Sequence, residues 1–179
     1  MSLGITLVIV IFSILVLVGI IIIGIYNKIL FRKKRVLDKF NSIYLILKER
    51  ISIIDSICSV LIKNNFHEDN LIMDLNNLKK SIEENNSINE TLPLINKTDN
   101  LIKKALQLDI IYESLKNNKE YQELKESFKN NQYKIMYSIE IYNEEVEDYN
   151  NYIAKKIINL VSKIFRFSNY SYYKKQDDI

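Results

Sequence analysis

The chain has 179 residues, enough for one ordinary domain, with 25 Lys and Arg against 22 Asp and Glu. Its three glycines all precede Ile25, which excludes a glycine-rich phosphate loop, and one His, one Cys and no Trp exclude zinc clusters, disulfide frameworks and thiol–imidazole dyads. Beyond residue 37 the chain is weakly acidic, so we expect no nucleic-acid binding. Because the residues of metal and nucleophile sites are too few, we also expect no enzymatic activity, catalytic residue, metal or cofactor.

The N-terminus is apolar. Leu3 to Ile25 is an uncharged run that would make roughly 34 Å of helix, which is long enough to span a bilayer. A cleaved signal peptide would need a basic start, a shorter apolar core and a small-residue cleavage site, and the run has none of these. We therefore predict a retained single-pass transmembrane helix within residues 1–27.

Five basic residues follow this run within a short segment that contains no acid. This basic flank consists of Lys28, Arg32, Lys33, Lys34 and Arg35. Because basic flanks of a transmembrane helix stay on the cytoplasmic side, it predicts a cytoplasmic C-terminal domain and an N-terminus outside. The same five residues are candidates for contact with the membrane surface.

Beyond the basic flank, apolar residues recur at steps of three and four, the spacing of one helix face. In a first helix reaching residue 64 they are Val36, Phe40, Ile43, Leu47, Ile54, Ile57 and Leu61. A second row widens this face to the width of a bundle core: Leu37, Tyr44, Ile51 and Cys58. Arg50 occupies an apolar position of the pattern, and we expect it at the rim with its charge in water.

Three further helices are predicted. The second contains Leu71, Leu75, Leu78 and Ile82; the third contains Leu94, Thr98, Leu101, Ala105, Leu108, Tyr112 and Leu115; and the fourth, of about 28 residues, contains Phe128, Ile135, Ile139, Tyr142, Val146, Tyr149 and Ile153, with Gln132 polar in the same register. The polar stretch Asn85 to Pro93 is predicted as a loop. The pattern predicts an all-α chain in which residues 28–154 form an antiparallel four-helix bundle with coiled-coil-like packing.

Residues 155–179 form the last segment, a predicted amphipathic helix with an aromatic and polar tail. Its basic residues are further candidates for membrane-surface contact: Lys155, Lys156, Lys163 and Arg166. On a helical wheel one side is apolar: Ile157, Leu160, Val161, Ile164, Phe165 and Phe167. Two alternatives follow. The helix lies on anionic lipid, because the fourth helix returns toward the bilayer, or it folds back and caps the core of the bundle.

Two Tyr-Asn pairs stand seven residues apart, Tyr142-Asn143 and Tyr149-Asn150, after the motif Tyr121-x-x-Leu124-Lys125. With these, Tyr26-Asn27, Phe40, Ile43, Lys48, Arg50, His67-Glu68, Phe128, Val146 and Ile153 resemble the LemA family of bacterial membrane-anchored helical proteins, from Tyr26 to about Phe167. The resemblance implies an anchored four-helix bundle, with some relatives in magnetosome membranes and no agreed biochemical activity.

A few residues carry weak indications of chemistry. His67, Glu68 and Asp69 could hold a metal, but they suit the first turn of a helix better. The Tyr-Asn pairs could line a ligand groove, although we interpret their tyrosines as core aromatics and their asparagines as one step off the core face. We interpret Cys58 as a small hydrophobic residue. The acidic patch is interpreted as a solvated face that could attract a basic partner: Glu140, Glu144, Glu145, Glu147 and Asp148.

Three classes of function are compatible with these features. The first is a membrane-tethered scaffold or adaptor at the cytoplasmic face, which would recruit another membrane or membrane-associated protein. The second is a tethered sensor that binds a small ligand between helices. The third, an enzyme, is the weakest, since the sequence supplies no nucleophile–base pair or metal cluster. A homo-oligomer is left open by the sequence.

Overall fold

The computed structural model describes residues 3–66, 69–85 and 87–174. Within these ranges the chain is all-helical and contains no strand. The helices are α1 Leu3–Lys63, α2 Asp69–Glu84, α3 Ile88–Leu106, α4 Glu113–Lys116, α5 Lys119–Ala154 and α6 Lys156–Ile164, with a 3₁₀ turn at Leu108–Ile110 before α4. The all-α prediction is confirmed.

Helix α1 is a single helix of 61 residues, roughly 90 Å long. Among the described residues, α1 is the one helix long and apolar enough to cross a membrane. The most apolar stretch of α1, near the N-terminus, is entirely unburied. Exposed apolar surface of this extent is unfavourable in water, which fits the predicted span. At its other end, Asn65 adopts a left-handed conformation (φ 53°), and the amide N–H of Phe66 donates to the carbonyl of Leu61, which terminates the helix.

The chain divides into two compact units. Of the described residues, unit 1 contains those up to Asp38 together with Glu144–Tyr170, and unit 2 contains those within Lys39–Asn143 together with residues 171–174. Nothing in this division tests the predicted boundaries at residues 28 and 155, which stay predictions.

The core of unit 2 follows the predicted heptads closely. The predicted positions Phe40, Ile43, Leu47, Ile54, Ile57 and Leu61 of α1 and Leu71, Leu75, Leu78 and Ile82 of α2 are all buried. Helix α2 packs against α3. The antiparallel arrangement of four helices stays a prediction.

The predicted loop from Asn85 to Pro93 is wrong, because α3 already begins at Ile88. Ser87 caps the helix: its hydroxyl accepts the N–H of Glu90 at 3.4 Å and donates to the Glu90 carboxylate at 2.6 Å. This Ser-x-x-Glu cap stabilises the first turn of α3, although a proline follows in the next turn. Pro93 sits in the second turn, where its missing N–H removes one backbone hydrogen bond.

Helix α3 also ends earlier than predicted, at Leu106 rather than near residue 115. Its buried face includes Ile95 and Ile102, whereas the predicted Leu94 and Leu101 are half-buried. Leu94 and Leu101 are seven residues apart, and so are Ile95 and Ile102. Periodicity alone therefore does not show which of these two adjacent rows is buried.

Helix α5 is longer than predicted, at 36 residues. The side chain of Asn118 accepts the N–H of Tyr121 at 2.9 Å and caps its N-terminus. The buried face contains Phe128, Ile135 and the predicted residues beyond them, except that Ile139 is only half-buried.

We expect Ile43→Asp to abolish the cooperative unfolding transition of the detergent-solubilised chain. Ile43 is fully buried, and an unpaired buried carboxylate costs several kcal/mol out of a total stability of about 5–15 kcal/mol. Leu45→Asp is the matched control, since Leu45 lies two residues away and is 63% exposed. Helicity followed by circular dichroism during heating should distinguish the two variants. Equal melting of both would contradict the assignment of this face to the core.

Candidate functional site

Arg50 on α1 is buried completely, at 0% exposed, so the expectation that it lies at the rim with its charge in water is wrong. Its Nη1 lies 2.5 Å from Oδ1 of Asp99 on α3 and donates to the carbonyl of Ile95 at 3.4 Å. Its Nε donates to Oδ1 of Asn131 on α5 at 2.7 Å. The guanidinium also lies 5.4 Å from the centre of the Phe128 ring. Three helices of unit 2 therefore converge on one buried charge.

The electrostatics of this Arg50 cluster explain its composition. Burial lowers the pKa of Arg50, and the neighbouring Asp99 carboxylate opposes that shift. A guanidinium stays protonated in proteins, so the chain cannot relieve the burial by neutralising the side chain. The charge must instead be paired and hydrogen-bonded where it lies.

Asn131 is the buried polar residue of α5, whereas Gln132, which the heptad register singled out, is half-buried. The side-chain nitrogen of Asn131 donates to the carbonyl of Ile46 at 3.0 Å, and this hydrogen bond orients Oδ1 of Asn131 toward Arg50. The sequence did contain a signal for it. Phe128, Asn131 and Ile135 are separated by three and four residues, so Asn131 shares a helix face with two core residues.

We expect Asp99→Ala to destabilise the chain by about 3 kcal/mol, since it leaves the Arg50 charge buried and unpaired. The double variant Arg50→Met with Asp99→Leu should recover much of this loss, because it removes both charges at similar volume. Asp55→Ala, which breaks the exposed Lys79 pair, is the control and should change stability by less than about 1 kcal/mol. Denaturant unfolding measures all three. If Asp99→Ala lowered the free energy of unfolding as little as Asp55→Ala does, Asp99 would not compensate the buried charge of Arg50.

The asparagines of the two Tyr-Asn pairs bind the extended C-terminal segment. The Asn143 side chain donates to the Tyr173 carbonyl at 3.1 Å and accepts the Tyr173 N–H at 2.9 Å. Asn150 makes the same pair of bonds with the backbone of Tyr170, at 2.9 and 3.0 Å. We call these the Asn143 and Asn150 clamps; the first lies in unit 2 and the second in unit 1.

The seven-residue spacing of the pairs fits this binding. Seven residues of α-helix rise roughly 10.5 Å, and three residues of extended chain span roughly 10 Å. The two lengths nearly match. An extended chain can therefore contact both asparagines through residues that are three apart, as Tyr170 and Tyr173 are. The interpretation of Tyr142 and Tyr149 as buried aromatics is confirmed. The role of the asparagines was missed, since sequence does not show what a side chain beside the core will meet.

Tyr173 brings the C-terminal segment close to the Arg50 cluster. Its hydroxyl donates to Oδ1 of Asn96 on α3 at 2.5 Å. Burial raises the pKa of Tyr173; the Asp99 charge adds to the shift and the Arg50 charge opposes it. Beside Tyr173 lies a cleft of about 540 Å³, whose lining includes Asp99, Lys103, Ile135, Ile139, Asn143 and Tyr173. This cleft lies within unit 2.

We expect Asn143→Ala to release the amide of Tyr173 to hydrogen exchange. The clamp contributes two hydrogen bonds of about 0.5–1.5 kcal/mol each, so protection should fall roughly five- to hundredfold. Asn151→Ala, at an exposed neighbouring asparagine of the same helix, is the control and should leave protection unchanged. Exchange measured by mass spectrometry on peptides from residues 168–174 reports the effect. Unchanged exchange in Asn143→Ala would mean that other contacts hold the segment.

The basic flank is partly engaged within unit 1. Arg32 forms an ion pair with Asp148, and Arg35 pairs with Glu145 at 2.7 Å. The Arg32 guanidinium also lies 4.5 Å from the centre of the Tyr152 ring. The interpretation of the acidic patch as a solvated face is therefore wrong for Glu145, whose side chain is 12% exposed, whereas the paired Asp148 side chain stays 44% exposed.

The other predicted membrane-surface residues are exposed or half-exposed. They are Lys28, Lys33, Lys34, Lys155, Lys156, Lys163 and Arg166. Nothing in the structure tests their contact with lipid, which stays a prediction.

The Tyr121-x-x-Leu124-Lys125 motif joins the start of α5 to the turn before α4. The buried Tyr121 hydroxyl donates to the carbonyl of Ala105 at 2.7 Å, and burial raises the pKa of Tyr121 to about 12. Lys125 pairs with Asp109 at 2.5 Å, while Leu124 is half-buried. These contacts give the motif a structural role in unit 2.

Of three other candidate residues, one is buried and two lie outside the described ranges. Cys58 is buried, and burial raises the pKa of its thiol, as suits a small hydrophobic residue. In the part of the chain that the structure describes, no three His, Cys, Asp or Glu side chains converge on a metal-sized site. His67 and Glu68 lie outside the described residues.

The helices and contacts define a class of protein: an all-α chain with a long apolar N-terminal helix and a C-terminal segment bound by asparagine side chains. A sequence model of the LemA family matches residues 39–178, well over half of the chain. The chain belongs to the LemA family. This confirms the resemblance drawn from the Tyr-Asn pairs, and the match extends past Phe167 to include the clamped segment. No curated protein sequence matches the chain.

Proposed function

We propose that this LemA family protein is a membrane-anchored scaffold or adaptor whose helical domain lies at the cytoplasmic face of a bacterial membrane. The N-terminal part of α1 serves as its single span. The C-terminal part of α1 joins α2, α3 and α5 in an antiparallel four-helix bundle. The exposed apolar surface of α1 and the basic flank that follows it support the anchor and the orientation.

The observation that carries the adaptor role is an exposed patch on α5. Tyr133, Met136 and Tyr137 are 62%, 57% and 66% exposed and share one helix face at steps of three and one. Tyrosine and methionine are enriched in protein–protein interfaces, where tyrosine buries a large area at a low entropic cost and methionine adapts its shape to the partner. Core formation explains none of these side chains, since the core of α5 faces away from them.

The test is capture of a partner by the full-length, detergent-solubilised protein from its own host's membranes. An adaptor should return a stoichiometric partner, and the double variant Tyr133→Ser with Tyr137→Ser should lose it. Met73→Ser is the matched control, since Met73 on α2 is 56% exposed and lies outside the patch. Recovery of no stoichiometric partner, or of one retained by the double variant, would contradict the proposal.

Orientation has a separate test, which uses a tag at the C-terminus. Protease added to intact cells or right-side-out protoplasts should leave the tag uncut, because the basic flank keeps the following domain inside. Digestion of the tag without lysis would reverse the orientation.

The cleft beside Tyr173 favours a second candidate, a tethered sensor that binds a small ligand between helices. Its volume of about 540 Å³ is in the range of ligand sites, and its lining combines charged Asp99, Lys103 and Glu140 with apolar Ile135 and Ile139. A zwitterionic or amphipathic small molecule suits this lining. Such a compound should raise the unfolding temperature, and Ile139→Trp, which fills the cleft, should remove that increase. A thermal shift that survives Ile139→Trp would place binding elsewhere.

A further inference from the structure

Helix α6 exposes an apolar face. Lys155 adopts an extended conformation (φ −61°, ψ 132°) and separates α6 from α5. The helix buries Val161, but Ile157, Leu160 and Ile164 are 71%, 64% and 68% exposed. Steps of three and four put these three side chains on one face. Of the predicted apolar side, only Val161 is buried, so capping of the core does not account for the helix.

Aromatic contacts within unit 1 place the end of α6 beside the end of the apolar run of α1. The ring of Tyr26 lies 4.7 Å from that of Phe165 and 5.7 Å from that of Phe167. Tyr26 directly follows the run that ends at Ile25 and precedes the first charged residue, Lys28. In a transmembrane helix this is the level of the lipid headgroups, where tyrosine rings concentrate.

Both ends of the segment that contains α6 are fixed to the C-terminal part of α5. The segment leaves α5 at Ala154, and the Asn150 clamp binds it again at Tyr170. The two attachment points are one helical turn apart. Helix α6 is therefore held near the membrane end of unit 1 on both sides.

All charged side chains of this segment are basic. Lys155, Lys156, Lys163 and Arg166 are exposed, and no Asp or Glu occurs between Asp148 and Asp177. A basic helix with an uncovered apolar face matches the chemistry of an anionic bilayer surface, which offers both phosphate charge and an apolar boundary.

We propose that α6 lies in the headgroup region of the bilayer that α1 crosses. Ile157, Leu160, Ile164 and Phe165 enter the apolar boundary, and the four cations face anionic phospholipid headgroups. The proposal rests on the proposed anchoring by α1. It adds a second contact with the membrane, and this contact depends on lipid charge.

The test uses the full chain in liposomes, with a Cys58→Ala background and one added cysteine that carries a polarity-sensitive fluorophore. With Leu160→Cys, emission should shift to the blue and be quenched by nitroxides on the lipid acyl chains. Leu45→Cys is the matched control, because Leu45 is 63% exposed, much like Leu160, but lies twenty residues beyond the apolar run of α1; a label there should be quenched by aqueous iodide. The lipid quenching at Leu160→Cys should weaken when anionic phospholipid is omitted or the salt concentration is raised. Ile157→Cys repeats the measurement where Leu160→Cys fails to fold.

Two fluorescence results would overturn the proposal. The first is a Leu160→Cys label as accessible to iodide as the Leu45→Cys label. The second is a label shielded from both quenchers, which would mean that protein, such as a second copy of the chain, covers the face.

Extraction of the same liposomes at alkaline pH tests the α1 anchor independently. Release of the chain would overturn the anchor and this proposal together. Retention with an iodide-accessible Leu160→Cys label would overturn the α6 contact alone.

Discussion

The charge of Arg50 is the constraint on which the arrangement of unit 2 depends. Apolar faces can pack in more than one register, because the hydrophobic effect has no direction. A buried guanidinium cannot, since it must be met by a carboxylate and by oriented hydrogen-bond acceptors. Asp99 and the Ile95 carbonyl of α3 and Asn131 of α5 contact it, so these contacts constrain how α3 and α5 are rotated against α1 within unit 2. We interpret the cluster as a device for specificity more than for stability.

The C-terminal segment shows the same requirement applied to the backbone. An extended chain outside a sheet presents N–H and C=O groups that need partners. The Asn143 and Asn150 clamps supply both partners for Tyr173 and Tyr170, because an amide side chain donates from its nitrogen and accepts at its oxygen at the same time. The segment is thereby an integral part of the fold. It also brings Tyr173 to α3 and holds the end of the α6 segment on α5.

Several features could be predicted from the sequence because they depend on local chemistry or on one helix face. The heptads located the cores of α1, α2 and most of α5, and the apolar run identified the candidate span. The start of α3 is also encoded locally, since Ser87 and Glu90 have the spacing of a helix cap, and Pro93 in the second turn does not prevent the helix from starting there. Asn131 was equally accessible from its spacing to Phe128 and Ile135. In both places the deciding signal is a spacing between nearby residues.

The sequence by itself determined the all-α class, the long apolar helix and membership of the LemA family, because periodicity, hydropathy and motif spacing are properties of consecutive residues. Only the tertiary structure decided the burial of Arg50, its pairing with Asp99 and Asn131, and the use of Asn143 and Asn150 as clamps. These partners lie far apart along the chain, and a heptad pattern shows which face of a helix is apolar but not what another helix brings to it. The function of a polar residue beside a core depends on that second surface.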